Sequence, residues 1–545
     1  MKKVAIVAAA LVVAAIFFLI ATLPPNAVRL SAGVDAERSR RIVSGAYHIH
    51  STRSDGAADK DAIATAAARA GLAFIILTDH SDGTGLPDPP AYLHGVLCLD
   101  AVEISTNGGH YVAIDMQPAP YPLGGEPDAV VEDVKRLGGF GIVAHPDSPR
   151  PQLAWSAWDA PFDGIEWLSA DSEWRDESRL RLTRALFQYF LRPAPALASI
   201  LDRPVATLAR WDALTAHRRV VGLAGVDAHG GIGRGMEEGG KRRAAFGHVP
   251  SYEASFRTFT THAILDQPFA GDAAVDARAL IASIRNGRVF TVIDAVAESG
   301  FVDVEPDASG QHWVNYTIPE RGELIMVKDG HDSSPLQEGQ SGRYRLAEDS
   351  ATAVVRFEVR LPYAPGTPPV PWLVTNPTYF RPPAGDQPLV TSSAAVVRLP
   401  PDTQWHSEHD SRTEAKLQNL GGQVTLDYTL GPGERRSQFA AAVGDIRGRA
   451  PKFAGILFSA TASRPGRISV QLRYGGELRW ARSVYVDPSV REVRIPIDRL
   501  VPVDFQKGPP PDPATADSLL FVADLTNARP GDSNTVRISN LRLEK

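Results

Sequence analysis

Across 545 residues the chain carries a single cysteine, Cys98. No intrachain disulfide can form, and a Cys-rich structural zinc site is excluded with it. Cys98 lies inside the apolar run Val96–Val102, a context that predicts a buried, inert thiol. Charge imbalance is also scarce: 57 Lys and Arg against 63 Asp and Glu leave a net charge of −6. So weak a balance supplies no global field for nucleic acid or for an anionic membrane surface, and no nucleic-acid partner is evident. The sequence has no nucleotide P-loop, no G-x-S-x-G nucleophile elbow and no repeat of solenoid period. A serine nucleophile of the elbow type therefore has no place in its chemistry. The length fits two to four domains.

What the chain does have is histidine in a repeated position. Of its 14 histidines, His48, His50, His80, His110, His145 and His229 recur with the carboxylates Asp55, Glu103 and Asp227 beside short apolar runs. His48 and His50 end Gly45-Ala-Tyr-His-Ile-His, and His80 ends Phe74-Ile-Ile-Leu-Thr-Asp-His. Glu103 ends Val96-Leu-Cys-Leu-Asp-Ala-Val-Glu, and His145 ends Phe140-Gly-Ile-Val-Ala-His. Asp227 and His229 close the run that starts at Val220. Such runs read as buried parallel strands, and functional residues of such sheets gather at strand C-terminal ends, on one rim. Side chains alternate along a strand, so His48 and His50 are predicted to share a face and to be able to chelate one ion. His110 differs: it opens a strand, after the turn residues Asn107-Gly108-Gly109. With cysteine absent from the set, a His/carboxylate site suits Zn, Mn or Fe.

The ordered set HIHS…SDG…TDH…E…GH…AHPD…VDAH resembles the polymerase and histidinol phosphatase (PHP) superfamily over residues 43–297. The resemblance implies an α/β fold, a distorted (β/α)7 barrel, two or three divalent metal ions and, as in many members, phosphoesterase activity. Carried over residue by residue, His48, His50, Glu103 and Asp227 would hold one metal. Glu103, His110 and His145 would hold a second, with Glu103 bridging. Asp55, His80 and His229 would hold a third. The expected reaction is hydrolysis of a small-molecule or polymer phosphate ester by a hydroxide shared between metals, with Glu103, Asp227 and His229 as catalytic residues. Two other readings stand beside it: metal-dependent hydrolysis of a non-phosphate bond, and a membrane-tethered glycan-binding protein whose barrel is inactive.

The surroundings add candidates. Arg53, Arg234 and Arg257 are placed to clamp phosphate oxygens. Arg234 belongs to a glycine-rich, basic stretch, Gly230–Gly235 with Lys241-Arg242-Arg243, which is either a phosphate cradle or a surface loop. Asp79 and Asp82 flank His80 and either orient imidazoles or sit in solvent. Trp155, Trp158, Trp167 and Trp174 form a local excess, read either as a packed insertion or as a pocket wall. Residues 175–217 read as a helical insertion bordering the site. His94, His217, His248 and His262 lack such context and are expected to be structural.

The remaining boundaries follow from pattern. Residues 1–26, with Lys2-Lys3 before the uncharged run Val4–Leu23, read as a signal anchor or signal peptide. This would place the rest of the chain outside the cytoplasm, tethered to a membrane or free after cleavage. Residues 27–42 read as a linker and 43–297 as the barrel. Residues 298–385 read as a small β-sandwich, with Val355, Phe357, Val359 and Leu361 on one face. Residues 386–545 read as a jelly-roll-like β domain, resembling galactose-binding-like modules, with a glycan as its expected partner.

Overall fold

The structure is a computed structural model. It describes residues 2–30, 36–231, 233–236, 242–244, 249–298, 300–336, 339–346, 353–381, 383, 395–399, 402–448, 452–503 and 508–545. For 233–236, 242–244 and several residues of the first two helices it describes the backbone alone.

Lys2–Ala21 forms helix α1, free of Gly and Pro until Pro24-Pro25. Its described apolar side chains, such as Val4, Val13 and Phe17, are exposed. Among the described residues no helix is long and apolar enough to cross a membrane; several α1 side chains fall outside them. A short helix α2 (Ala36–Arg41) then leads into the first large unit.

That unit is built from strands β1 (Ile42–Ile49), β2 (Phe74–Leu77), β3 (Ala91–Leu93), β4 (Val96–Asp100), β5 (Val102–Thr106), β6 (Gly109–Ile114), β7 (Phe140–Ala144), β8 (Gly164–Ser169), β9 (Val221–Gly225), β10 (Thr260–Ile264) and β11 (Val289–Val292). Helices α3 (Lys60–Ala70) and α4 (Pro127–Arg136) connect early strands. Helices α5 (Ala170–Asp176), α6 (Arg179–Tyr189), α7 (Pro193–Ala198) and α8 (Val205–Thr215) form the expected insertion; α9 (Tyr252–Phe256) and α10 (Ala273–Arg285) follow. α3 begins where Asp59 accepts a hydrogen bond from Ala62 N and stops at Gly71, whose φ of 82° only glycine adopts without strain.

β1, β2 and β4 pair in parallel, as do β7, β8 and β9. Their strands are buried on both faces: Ala46 and Ile75 join one apolar cluster, Tyr47, Phe74 and Ile76 another. The expected distorted (β/α)7 barrel is not a closed one. Instead, a five-stranded sheet, β9-β8-β7-β6-β5, faces a longer sheet running β11-β10-β1-β2-β4-β3. Among the described residues the two are joined by isolated bridges, Ile49 with Ala228 and His80 with Glu103, and by a few backbone hydrogen bonds beside them, such as Val226 N to Tyr47 O at 3.0 Å. Two causes are visible. β10 and β11 run antiparallel and carry their sheet outward, β11 pairing with Leu373–Thr375. At the rim, His48, His145 and Asp227 take φ values of 68°, 29° and 44°, and the β1–β2 register shifts between Tyr47 and Ile49. These left-handed residues turn strand ends inward and break the ladders there.

Residues after 297 do not start a fully separate sandwich. Phe301–Pro306, His312–Thr317 and Ser341–Arg345 make a small sheet of their own. Glu323–Lys328, Val354–Arg360 and Leu373–Thr375 instead continue the β11 sheet. The join is locked by Glu358, fully buried, which accepts from Arg203 Nη1 and Nη2 at 2.7 and 2.8 Å and from Arg356 Nη1 at 2.7 Å. Arg356 also grips Asp212 of α8 at 2.7 and 2.9 Å. Burial would raise Glu358; the three arginines around it, Arg203, Arg356 and Arg360, outweigh that and hold it down at about 2.

The C-terminal residues form two six-stranded sheets over one apolar core that includes Phe458, Leu472 and Phe521. This β-sandwich docks on α4. Arg467, almost fully buried, donates from Nε to Asp133 at 2.9 Å and from Nη2 to Ala129 O at 3.1 Å. The Arg136 guanidinium lies 3.7 Å from the centre of the Tyr485 ring. Arg529 bonds Asp82 and Thr84, so Asp82 holds the sandwich in place and orients no imidazole.

Candidate metal centre

All nine expected residues converge at the rim where the two sheets meet. Strand direction explains the odd position of His110. β6 is antiparallel to both neighbours, with His110 opposite Ala144. The start of β6 is thus on the same rim as the ends of β1, β7 and β9. His48 and His50 also converge, with ring centres 5.2 Å apart, but simple alternation is not the cause. His48 sits at the register shift in a left-handed conformation, and that irregularity re-aims its ring. Left-handed backbone at non-glycine residues is costly and gathers at functional sites.

Glu103 is the hub. Its Oε1 lies 2.8 Å from His110 Nδ1 and 3.1 Å from His145 Nε2. Its Oε2 lies 3.3, 3.2 and 3.2 Å from His48 Nε2, His50 Nε2 and His80 Nδ1. Asp227 Oδ1 closes the group, 3.4 Å from His48 Nε2 and 3.2 Å from His50 Nε2. Asp55 Oδ1 faces His229 Nε2 at 3.3 Å, His50 Nδ1 at 3.4 Å and His80 Nε2 at 3.8 Å. Two donor sets therefore sit on the two oxygens of one buried carboxylate, and a third lies beside them.

The donor set fits divalent metal. Four atoms held about 2.1 Å from a common ion at tetrahedral angles lie about 3.4 Å from one another. The separations around Asp227 Oδ1 and Glu103 Oε2, 3.2 to 3.4 Å, match that spacing and are long for direct hydrogen bonds. His48 Nε2, His50 Nε2, His80 Nδ1 and Asp227 Oδ1 are buried without a hydrogen-bond partner. Unpaired buried polar atoms are expensive, and four aimed at one space call for a cation. Groups of three or four donor atoms close enough for one ion combine His48, His50 and Asp227; His48, Glu103 and His145; His80, Glu103 and His110; and His50, Asp55, His80 and His229.

Electrostatics agree. Burial would raise Glu103 and Asp227, but the surrounding histidines outweigh it and hold both carboxyls well below the usual range. Burial would lower His50 and His145; the negative charge of Glu103 and Asp227, joined at His145 by its hydrogen bond to Glu103, holds each up at about 9. Burial dominates at His80 and pushes it down. The pocket thus concentrates negative charge that only protons or metal cations can offset.

Two residues of the site were not singled out by the sequence. Glu166, in the middle of β8 and fully buried, holds His48 Nδ1 at 2.5 Å and accepts from His145 N at 2.7 Å. This bond places the His48 proton on Nδ1 and frees Nε2 to face Glu103 and Asp227. Its signal was a lone acid inside the apolar run Gly164-Ile-Glu-Trp-Leu. Tyr252 of α9 donates to His50 O at 2.7 Å, and its hydroxyl also meets His229 O at 3.0 Å and Ala57 N at 3.1 Å. One hydroxyl thereby ties together the three segments carrying His50, Asp55 and His229.

The expected phosphate clamp is not assembled. Arg53 is turned to Asp79, Asp88 and Asp100, at 3.0, 3.3 and 2.5 Å. Nearby opposite charges win it from the rim. Arg257 pairs with Glu253 at 3.2 Å and with Arg69 O. The Arg234 side chain, with the Lys241–Arg243 stretch, lies outside the described residues. Asp79 fixes the loop after β1, accepting from Ser51 N at 2.7 Å, Ser51 Oγ at 2.8 Å and Ser54 Oγ at 2.7 Å.

A cavity of about 570 Å³ opens over the donor cluster. Asp55, His80, Glu103, His110, His145, Asp227 and His229 form its floor. Among the described residues its arginines are Arg150 and Arg175, and its far wall is mostly apolar, from Trp174, Leu182, Leu186, Leu201 and Phe259. Trp155 and Trp167 are buried in the core instead. Cys98 is buried too, its thiol raised by burial, and the part-buried His262 is pushed down by desolvation of its ring to about 4.

Comparison with protein-family models and with curated proteins finds no match. Among solved structures, the chain is similar to a two-domain protein containing a predicted PHP-like metal-dependent phosphoesterase from Bacteroides vulgatus. The identity is 13%, over 65% of this chain and 99% of that one, with a TM-score of 0.28. It is also similar to the family 11 carbohydrate-binding module of the cellulase Lic26A-Cel5E from Clostridium thermocellum. There the identity is 17%, over 28% of this chain and 96% of that one, with a TM-score of 0.23. Similarities of this size carry no argument about activity.

Proposed function

We propose that the chain is a metal-dependent hydrolase of phosphate esters, working at the rim that carries Glu103. The observation that carries this reading is the set of partnerless buried donor atoms spaced for chelation around one carboxylate. His48, His50, Glu103 and Asp227 would hold one divalent ion. Glu103, His110 and His145 would hold a second, and Asp55, His80 and His229 form the third donor group. Ions held there would make water a nucleophile near neutral pH and offset charge on the phosphoryl oxygens.

The chain's own residues do the rest. Glu166 fixes the His48 tautomer, and Leu153 O, 3.2 Å from His145 Nδ1, fixes that of His145. Glu103 spaces the two donor groups through its two oxygens. Where the third donor group holds no ion, His229, one-fifth exposed at the cavity floor, would be the imidazole placed to hand a proton to a leaving oxygen. Among the described residues, Arg150 and Arg175 are the cations that line the cavity beside the substrate's place, Arg175 paired with Asp171 at 2.5 Å. The apolar wall displaces water from the side opposite the metal donors.

The test is hydrolysis by the metal-reconstituted full chain of an aryl phosphate monoester, an aryl phosphate diester and an aryl carboxylate ester. Turnover of either phosphate that falls at least about a hundredfold in Asp227→Ala supports the reading. Turnover of the carboxylate ester alone would move the chain to the non-phosphate class.

A further inference from the structure

We infer that the substrate is a phosphate ester of a long-chain apolar alcohol, drawn from a lipid bilayer against which helix α6 lies; this rests on the phosphoesterase reading above. Three observations meet at α6. First, its inner face lines the catalytic cavity through Leu182, Leu186 and Tyr189, with Leu197, Ile200 and Leu201 extending that wall beyond it. The cavity is thus mostly apolar on the side away from the metal donors, with Asp171, Arg175 and Thr183 the polar exceptions beside that wall, and a wall of this kind suits a hydrocarbon.

Second, the outer face of the same helix is apolar and open. Leu180, Phe187 and Leu191 are 81%, 56% and 60% exposed, and the adjacent Phe190 is 69% exposed. Positions 180, 184 and 187 follow the helical repeat and form one stripe, and Phe190 and Leu191 extend the exposed apolar surface in the turn just past the helix end. Arg184 sits within that stripe and Arg179 at its start. Large apolar side chains mixed with arginine on an exposed helix face match the interface of an anionic bilayer. A helix is about 10–12 Å across, so a bilayer against the outer stripe would lie one helix thickness from the cavity wall.

Third, α6 is fastened to the end of the apolar N-terminal helix. Arg184 Nη2 and Gln188 Nε2 donate to Thr22 O at 2.8 and 2.7 Å, and Arg192 Nη1 donates to Pro24 O at 2.6 Å. The exposed apolar surface of α1 and the stripe of α6 therefore belong to one continuous region. A bilayer is the one occupant that would cover both. In the reaction, a water oxygen bonds to phosphorus and the bond from phosphorus to the alcohol oxygen breaks. The alcohol takes a proton and the apolar product returns to the bilayer.

The experiment uses the full chain in vesicles of phosphatidylcholine and phosphatidylglycerol. Phe187→Cys is labelled with a fluorophore, Cys98 being buried. Quenching by spin-labelled lipid is expected; a label that is not quenched would overturn the bilayer contact. Hydrolysis is then compared for phosphatidic acid and phosphatidylglycerol carrying dioleoyl or dibutanoyl chains, covering monoester and diester. The dioleoyl form is expected to be cleaved faster by at least about tenfold, the effect of burying two methylene groups. The triple variant Leu180→Ser, Phe187→Ser, Leu191→Ser should bring that ratio toward one. Equal rates for long and short chains, or cleavage of aryl phosphates with neither lipid cleaved, would overturn the lipid class and leave the phosphoesterase reading standing. No cleavage of any phosphate ester would overturn both.

Discussion

Replacing Glu166 with glutamine tests whether the donor cluster is organised from behind. The carboxylate serves two donors: His48 Nδ1 at 2.5 Å and the backbone N–H of His145 at 2.7 Å. A glutamine has one acceptor oxygen and one NH2, so it can satisfy one partner and must present a donor to the other. If the amide faces His48, the ring is pushed to the tautomer with its proton on Nε2, the atom that faces Glu103 and Asp227. If it faces His145 N, a buried backbone donor is left without an acceptor. Loss of such an orienting partner weakens metal affinity about 10- to 100-fold, or about 1.4 to 2.7 kcal/mol. The assay is chelator competition with Zn or Mn on the full chain, alongside Asp61→Asn, an exposed change near His94, as control. Wild-type affinity in Glu166→Gln, with the same melting profile, would refute the claim that Glu166 sets the His48 tautomer.

Other predictions follow from single contacts. Gly225→Ala would put a methyl 2.4 Å from the Glu166 carboxyl; since nothing there is the free end of a flexible chain, metal affinity should fall at least as far as in Glu166→Gln, read by the same titration. Tyr252→Phe removes the hydroxyl from His50 O and His229 O, while Ala57 N–H keeps His229 O at 2.8 Å, and should cost about 0.5–1.5 kcal/mol in denaturant unfolding; an unchanged midpoint would deny the hydroxyl its tying role. Glu358 is held at about 2, below its ordinary 4.5. A depressed carboxyl contributes stability that is fully present above 4.5 and is lost as pH falls toward 2, here about 3 kcal/mol. Melts of wild type and Glu358→Gln should therefore differ most near neutral pH and converge only as the pH falls through about 2. Stripping metal at neutral pH should lower the melting temperature, by the equivalent of about 4 kcal/mol if the ion had been present at a thousand times its dissociation constant.

The ligand cluster was legible in sequence because all of its residues but Asp55, which lies in the turn after β1, close or open a buried apolar run, and strand ends of such sheets share a rim. His110 was legible as a residue but not as a position. Its strand runs backward, and pairing direction is set by long-range contacts that one sequence does not display. The shared face of His48 and His50 was expected from alternation and is achieved by a left-handed kink at His48, which no local pattern announces. Glu166 hid within an apolar strand beside Trp167, where attention went to the tryptophans. Arg53 was expected at the phosphate; Asp79 and Asp88 of the β2–β3 connection and Asp100 at the end of β4 claim it, and such competition becomes visible only in three dimensions. The expected closed barrel gave way because β10 and β11 extend their sheet into the strand at Leu373–Thr375, a pairing across some eighty residues. The apolar alternation after residue 450 did mark a sandwich, but not its seating on α4 through Arg467.

The most direct test of the central claim is the metal content of the full chain, measured by elemental analysis after reconstitution with Zn, Mn or Fe and removal of free ion. The account predicts two or more tightly held divalent ions per chain, with at least one lost in Asp227→Ala and in Glu103→Ala while both variants still melt cooperatively. A wild-type chain that retains none, or variants that retain the wild-type number, would contradict it.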